Sequence, residues 1–297
     1  MLELKNVSKN YSNKAALSNI NITLHSSEFI GLIGSNGAGK STFMKVILGL
    51  IPNYEGEVFW RGQLMTNKNR IELLNETKAI IETPSFFPHL SGEGNLSYFA
   101  KLDGINNKEK IHEALKFVQL FDARGKKFRN YSLGMKQKLA IARVLITDAS
   151  LLILDEPFNG LDPVAKEEIK ELLQDLSSQG KTLLVSSHLL EELEELSDRI
   201  IVLENGSIIK DINWNVQSIS TFEISIKENQ KIFIENKLGD ITRYNITLEP
   251  DKIIVDIERS ALPEFLKILV DRKIEFYEVN NVSRQLKQFF IKKGEIA

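Results

Sequence analysis

A chain of 297 residues exceeds one typical domain, and 42 % hydrophobic with 26 % charged residues excludes wholesale disorder. Lys plus Arg number 38 against 40 Asp plus Glu, and the net charge of −2 offers no basic excess for nucleic acid or an anionic membrane; residues 213–297 carry 13 of each sign. With no Cys, disulfides, thiolate metal sites and thiol catalysis are excluded, which fits a reducing compartment without proving one.

Residues 1–17 lack the continuous apolar core of a secretory signal. Nowhere do about 18 apolar residues run together, so no membrane-spanning helix is expected and any membrane role passes through another polypeptide. Residues 1–30 alternate as strands, with Ile20, Ile22 and Leu24 on one side and Asn21 and Thr23 on the other. Phe29–Ile33 is an apolar strand that runs into Gly34. From Lys40 the period becomes helical, with Phe43, Val46, Ile47, Leu50 and Ile51 on one face and Pro52 as the stop.

Residues 90–150 read as mostly helical, and Leu151–Leu154 as a strand buried on both faces. Strands follow at 182–186 and 200–203, the latter in a hairpin turned by Asn205-Gly206. After His188, Leu189, Leu190, Leu193 and Leu196 form a core face, and Glu191, Glu192, Glu194 and Glu195 a solvated one. Beyond Asp211 come strand 222–226, helix Lys231–Leu238, strand 253–257, helix 262–270 and strand 276–279. That order suggests a small α+β unit of ferredoxin-like type, with an amphipathic 282–291 packing back on it. The expected domains are 1–212 and 213–297.

Gly34-Ser35-Asn36-Gly37-Ala38-Gly39-Lys40-Ser41 matches the P-loop pattern between a strand and a helix. Its glycines let successive N–H groups cradle phosphates at a positive helix end; Lys40 adds a cation for the β- and γ-phosphates, and Ser41 a hydroxyl for Mg²⁺. Asp155-Glu156-Pro157 ends the buried strand at 151–154. Asp155 is placed to hold Mg²⁺ through its water shell, and Glu156 to orient and deprotonate an attacking water. Taken alone, two acids could instead simply end a strand at solvent.

With these motifs the chain resembles, over residues 1–212, the ATP-hydrolysing subunits of ABC transporters. Tyr131-Ser132-Leu133-Gly134-Met135-Lys136-Gln137 is similar to that family's signature and begins its phosphate-facing pair, Ser132 and Gly134, 23 residues ahead of Asp155. Locally Ser132 also reads as a helix N-cap. Asn159-Gly160-Leu161-Asp162 is similar to the D-loop, and His188 stands in the switch-histidine position. Thr42 closes the P-loop, and Tyr11 lies where the family sets a ring against adenine; cross-strand packing is the alternative for that ring.

Glu82, 42 residues after Lys40, stands where most of the family has glutamine near Mg²⁺ and the attacking water. Ionised glutamate offers only acceptors there. The stretch from Ile81 to Leu90 resembles a subgroup that handles bacitracin, lantibiotics and related peptides, in which glutamate is usual, and Phe86–Phe87 is expected as an exposed groove for a membrane partner.

The resemblance implies a P-loop NTPase of ABC type: a RecA-like core, a helical subdomain and an antiparallel β subdomain, followed by the ferredoxin-like domain as an accessory or regulatory unit. It implies two ATPase subunits head to tail, as homodimer or paralogous heterodimer, with ATP and Mg²⁺ sandwiched. One copy supplies Lys40, Ser41, Glu82, Asp155, Glu156 and His188, and the other Ser132, Gly134 and Asp162. It further implies a multi-spanning permease, a position at the cytoplasmic face of the membrane, and no nucleic-acid partner. Export of amphipathic antimicrobial peptides is the favoured function. A transporter regulated by a small ligand on 213–297, or a non-transport ATPase, are the alternatives.

Overall fold

In the computed structural model, which describes residues 1–12, 14–66, 68–81, 85–213, 219–227, 231–238, 241 and 243–281, Met1–Asn213 and Trp214–Ala297 form separate units. The first opens on an antiparallel pair, β1 (Leu2–Tyr11) and β2 (Lys14–Leu24), paired from Leu2↔Leu24 to Tyr11↔Lys14 with register shifts between Leu4 and Asn10. Period-two alternation sends Leu2, Leu4, Ile20, Ile22 and Leu24 into the core. β3 (Phe29–Ile33) is buried throughout.

The helix after it, α1 (Lys40–Ile47), is shorter than its apolar pattern suggests. Gly49, at φ 63°, donates to the Val46 carbonyl, and Leu50 N–H reaches back to Lys45 O at 2.9 Å. This Schellman motif ends the helix before Pro52, which leaves Leu50 exposed rather than on the core face.

β4 (Glu55–Trp60) and β5 (Gln63–Leu64) extend the first sheet to the order β2-β1-β4-β5. α2 (Arg70–Glu76) leads to β6 (Thr77–Ile80). Three helices follow and pack on one another: α3 (Gly92–Leu102), α4 (Lys108–Phe117) and α5 (Leu133–Leu145). Their N-caps are Ser91, Asn107 and Ser132, each accepting an otherwise orphaned N–H.

β7 (Leu151–Leu154), α6 (Pro163–Ser178), β8 (Thr182–Ser187) and the hairpin β9 (Arg199–Glu204) and β10 (Ser207–Asn213) complete a second sheet of order β10-β9-β3-β8-β7-β6. β3, β6, β7, β8 and β9 run parallel. Parallel strands covered on both faces need continuous apolar sequence, which is what β3 and β7 contain. Chemistry is left to the loops at their C-terminal ends.

Two further expectations fail in this unit. Phe86 is buried, its ring 5.6 Å from Phe99 and 5.0 Å from Phe128, and does not line an exposed groove; Phe87 is half-buried. After His188, Leu190, Leu193 and Leu196 are buried as expected, but Leu189 and Glu192 change places between the core face and the solvated face. The segment forms only a 3-10 turn, Leu190–Glu192; Leu189, just before it, is exposed and Glu192, its last residue, is buried.

The second unit runs β11 (Ile219–Ile226), α7 (Lys231–Leu238), β12 (Asn245–Leu248), β13 (Lys252–Glu258), α8 (Leu262–Asp271), β14 (Phe276–Asn281). The antiparallel order β12-β13-β11-β14 is the ferredoxin-like arrangement. Phe222, Ile224, Ile226, Ile253, Val255 and Ile257 meet Ile234, Phe265 and Leu269 in a core of its own. β12 was absent from the expected elements: four residues, Asn-Ile-Thr-Leu, carry too short an alternation to stand out. The stretch 282–291 lies outside the described residues, as does Glu82.

Candidate functional site

The C-terminal ends of β3, β7 and β8 lie side by side, with Ile33 opposite Ser187 and Leu154 opposite Val185. The loop leaving β3 turns sharply into α1. Gly39, at φ 111°, would press an added Cβ to 2.4 Å from the Ala16 carbonyl, so only glycine serves there. Gly39 is the N-cap of α1 and no side chain caps it, which leaves the first N–H groups of the helix for an anion.

An open cavity of about 460 Å³ lies over this helix end, lined among others by Ser35, Asn36, Gly37, Gly39, Lys40, Ser41 and Thr42 from the loop and by Asp155 and Glu156. Ala38 is buried beneath it. Lys40 is itself buried; its Nζ donates to the Gly34 carbonyl at 2.5 Å and pairs with Glu156 at 3.0 Å.

Asp155 and Glu156 are held differently although they are adjacent. Ser41 Oγ donates to one Asp155 oxygen and Ser186 Oγ to the other, both at 2.6 Å. Glu156 sits at φ 50°, a left-handed conformation that costs a non-glycine residue on the order of 1–3 kcal/mol and recurs at functional sites. Its N–H donates to Ser186 Oγ at 2.9 Å, and its carboxylate lies between Lys40 and His188, whose Nδ1 is 2.8 Å from Oε2. Five of the sequence-predicted residues, Lys40, Ser41, Asp155, Glu156 and His188, thus converge. Paired hydroxyl and carboxylate oxygens at Ser41 and Asp155 suit a hard divalent ion that shares its shell with phosphate and water.

Other predicted residues stand apart from this cavity. Ser132 is exposed at the start of α5, where it accepts from Met135 N–H at 3.2 Å. Leu133 is also exposed; Gly134, Met135, Lys136 and Gln137 are half-buried. Gly134 packs so closely on α6 that an added Cβ would reach Ala165 Cβ at 3.0 Å, and Leu133 lies over Gly160. Asp162 caps α6, accepting from Ala165 N–H at 3.0 Å. Tyr11 is half-exposed, with Lys9 Nζ 4.9 Å from its ring centre, and its cross-strand partner Lys14 lines the cavity.

Sequence reading missed Lys14, Ala16 and Asn159 in the lining, and the bridging role of Ser186. A serine inside the apolar run 182–187 was the available signal, since a buried hydroxyl needs partners. Among the described residues, no helix is long and apolar enough to cross a membrane.

Comparison with known proteins agrees with this geometry. The family model described as ABC transporter matches residues 17–159. The uncharacterized ABC transporter ATP-binding protein YhcH of Bacillus subtilis is 34 % identical over 297 residues, 98 % of this chain and 95 % of that protein. Bacitracin transport ATP-binding proteins named BcrA match from two organisms. That of Enterococcus faecalis is 40 % identical over 216 residues, 72 % of this chain and 69 % of that protein. That of Bacillus licheniformis is 30 % identical over 305 residues, 98 % and 96 %. Among solved structures, the dimeric ATP-binding cassette MJ0796, in a post-hydrolysis state bound to ADP and Pi, is 26 % identical with a TM-score of 0.64, covering 72 % of this chain and 98 % of that one. The chain belongs to the ATP-binding subunits of ABC transporters, a family of ATPases.

Proposed function

We propose that this subunit powers export of, or resistance to, amphipathic antimicrobial-type peptides through a separate multi-spanning permease, to which it docks at the cytoplasmic face of the membrane. The observation that carries the reading is the similarity to a bacitracin transport protein along 98 % of the chain, 213–297 included. In this reading 1–212 is the ATPase domain and 213–297 an accessory domain.

Two ATPase subunits, identical or paralogous, pair head to tail around two ATP molecules. Tyr11 stacks on adenine, and residues 35–42 hold the phosphates. Ser41, Asp155 and Glu82 would hold Mg²⁺, which would supply charge neutralisation to the phosphates. Glu156 takes the proton of the attacking water while His188, 2.8 Å away, orients that carboxylate. Ser132 and Gly134 reach the γ-phosphate from the opposing subunit, next to its Asp162. Support for this split comes from the placement of Ser132 outside the cavity that Lys40 and Glu156 line. Nucleotide closes the pair and hydrolysis releases it, a ligand-driven population shift.

The test is co-expression with the cognate permease in a bacitracin- and lantibiotic-sensitive host. Protection that disappears with Glu156→Gln supports the reading. Permease-stimulated ATPase activity without protection against any such peptide overturns the peptide assignment and leaves the ATPase standing. A cavity of about 540 Å³ in the second unit, lined by Leu238, Ile241, Tyr244 and Leu248 among others, favours one competing reading, a transporter regulated by a small ligand.

A further inference from the structure

The catalytic pair Glu156–His188 leaves a question about His188 itself. β8 ends at Ser187 and the next turn begins at Leu190, so neither a strand ladder nor a helix holds the residues between them. The side chain is only partly covered, at 37 % exposure. Something else must fix a ring that is to meet Glu156 at 2.8 Å.

The structure supplies it from below. Ser187 is fully buried; its hydroxyl accepts from Leu189 N–H at 3.0 Å and donates to Glu192 Oε2 at 2.5 Å. One hydroxyl therefore ties together the residues on both sides of His188. Glu192, 6 % exposed, receives Lys166 Nζ on its other oxygen at 2.6 Å. Lys166 stands one turn into α6, and its N–H bonds to the carbonyl of Asp162.

We propose that Glu192 is a positioning residue for hydrolysis: with Ser187 and Lys166 it locks the loop that carries His188 onto the first turn of α6, behind Asp162. The inference rests on the role given to His188 above and extends it. Burying a carboxylate is costly, and a structural role alone would be met as well by an apolar side chain of the same volume. Here the two carboxylate oxygens are spent on two different elements, one under the histidine and one on the helix that follows the D-loop. Neighbouring Glu191 and Glu195 are exposed and lack this geometry.

The experiment measures steady-state kcat, the KM for ATP and the thermal midpoint of the full chain, in the wild-type and His188→Ala backgrounds. Glu192→Ala and Ser187→Ala are expected to lower kcat about tenfold or more, the scale of a misplaced catalytic group, with KM within about twofold. In the His188→Ala background they are expected to change kcat by less than about twofold, because groups that act through one residue are not additive. Glu192→Gln, which keeps size and an acceptor, is expected to retain more kcat than Glu192→Ala and serves where alanine prevents folding. Glu191→Ala is expected to leave kcat unchanged. A full additive loss in the His188→Ala background, or wild-type kcat in the Glu192 and Ser187 variants, overturns the proposal alone. Wild-type kcat in His188→Ala by itself overturns the role of the histidine instead.

Discussion

The parallel sheet of the first unit and the antiparallel sheet of the second use polar residues in opposite ways. In the first, strands β3 and β7 are apolar from end to end, and polar groups gather at the C-terminal ends of the strands, where Ser41, Asp155, Ser186, Glu156, Lys40 and His188 are linked by contacts of 3.0 Å or less. In the second, polar residues recur along the strands and pair across them. Thr221 Oγ1 donates to Asp256, Asn245 to the other oxygen of Asp256, and Lys252 faces Glu223. A half-covered antiparallel sheet spends its polar side chains on register, whereas a sheet buried on both faces expels them to its ends, where they concentrate into a site.

The sharpest way to break this contrast is Glu156→Gln. Removing a general base costs about 10²–10⁴-fold in kcat, and the neutral amide leaves the phosphate loop intact, so ATP binding is expected to persist while phosphate release falls by that factor. Retained turnover would reduce the convergence of Lys40 and His188 on this carboxylate to packing. Ser186→Ala comes next. It strips one hydrogen bond from Asp155 and leaves the Glu156 N–H without its acceptor, a buried loss of about 1–3 kcal/mol. A lower denaturant midpoint together with a reduced kcat is expected. The matching change in the other sheet, Thr221→Val, is expected to cost only about 0.2–1 kcal/mol and to leave ATPase activity where it was.

How much of this was legible beforehand follows the same division. The phosphate-loop pattern, Asp155–Glu156 and His188 sit at the ends of strands that fix their place, so order and spacing along the chain were enough to pick out the residues that converge. The ferredoxin-like order was readable from three strands and two helices, although β12 was too short to register. Side chains whose role depends on distant neighbours were misread. Glu192 is the same residue as its exposed neighbours in an acidic run, and only Ser187 and Lys166 draw it inside. Phe86 sits in a loop, and its burial is decided by Phe99 and Phe128 from other segments. Pro52 reads in sequence as the stop of α1, but Gly49 ends the helix first through backbone bonds that no hydrophobic pattern records.

Charge clusters outside both sheets set the lower bound of the contrast, and Glu93 is the clearest. It lies in the first turn of α3, where His112 Nε2 meets it at 2.9 Å and Lys108 and Arg124 approach to 3.7 Å. The hydrogen bond from His112, and after it the nearby positive charges, hold its carboxyl below the usual glutamate range against the opposing effect of burial. A carboxyl whose folded-state pKa lies below its unfolded value stabilises the fold fully above the unfolded value, and that contribution fades as pH falls through the folded one. Glu93→Gln is therefore expected to lower the thermal midpoint slightly near neutrality and to converge with the wild type in acid. ATPase activity is expected to be unchanged at every pH where both proteins are folded, since a perturbed carboxyl marks a site only when it faces a cavity with reacting groups, and the partners of Glu93 are His112, Lys108 and Arg124 rather than residues of the cavity at Glu156. A shift in the pH profile of kcat would instead join this helical cluster to the chemistry at Glu156.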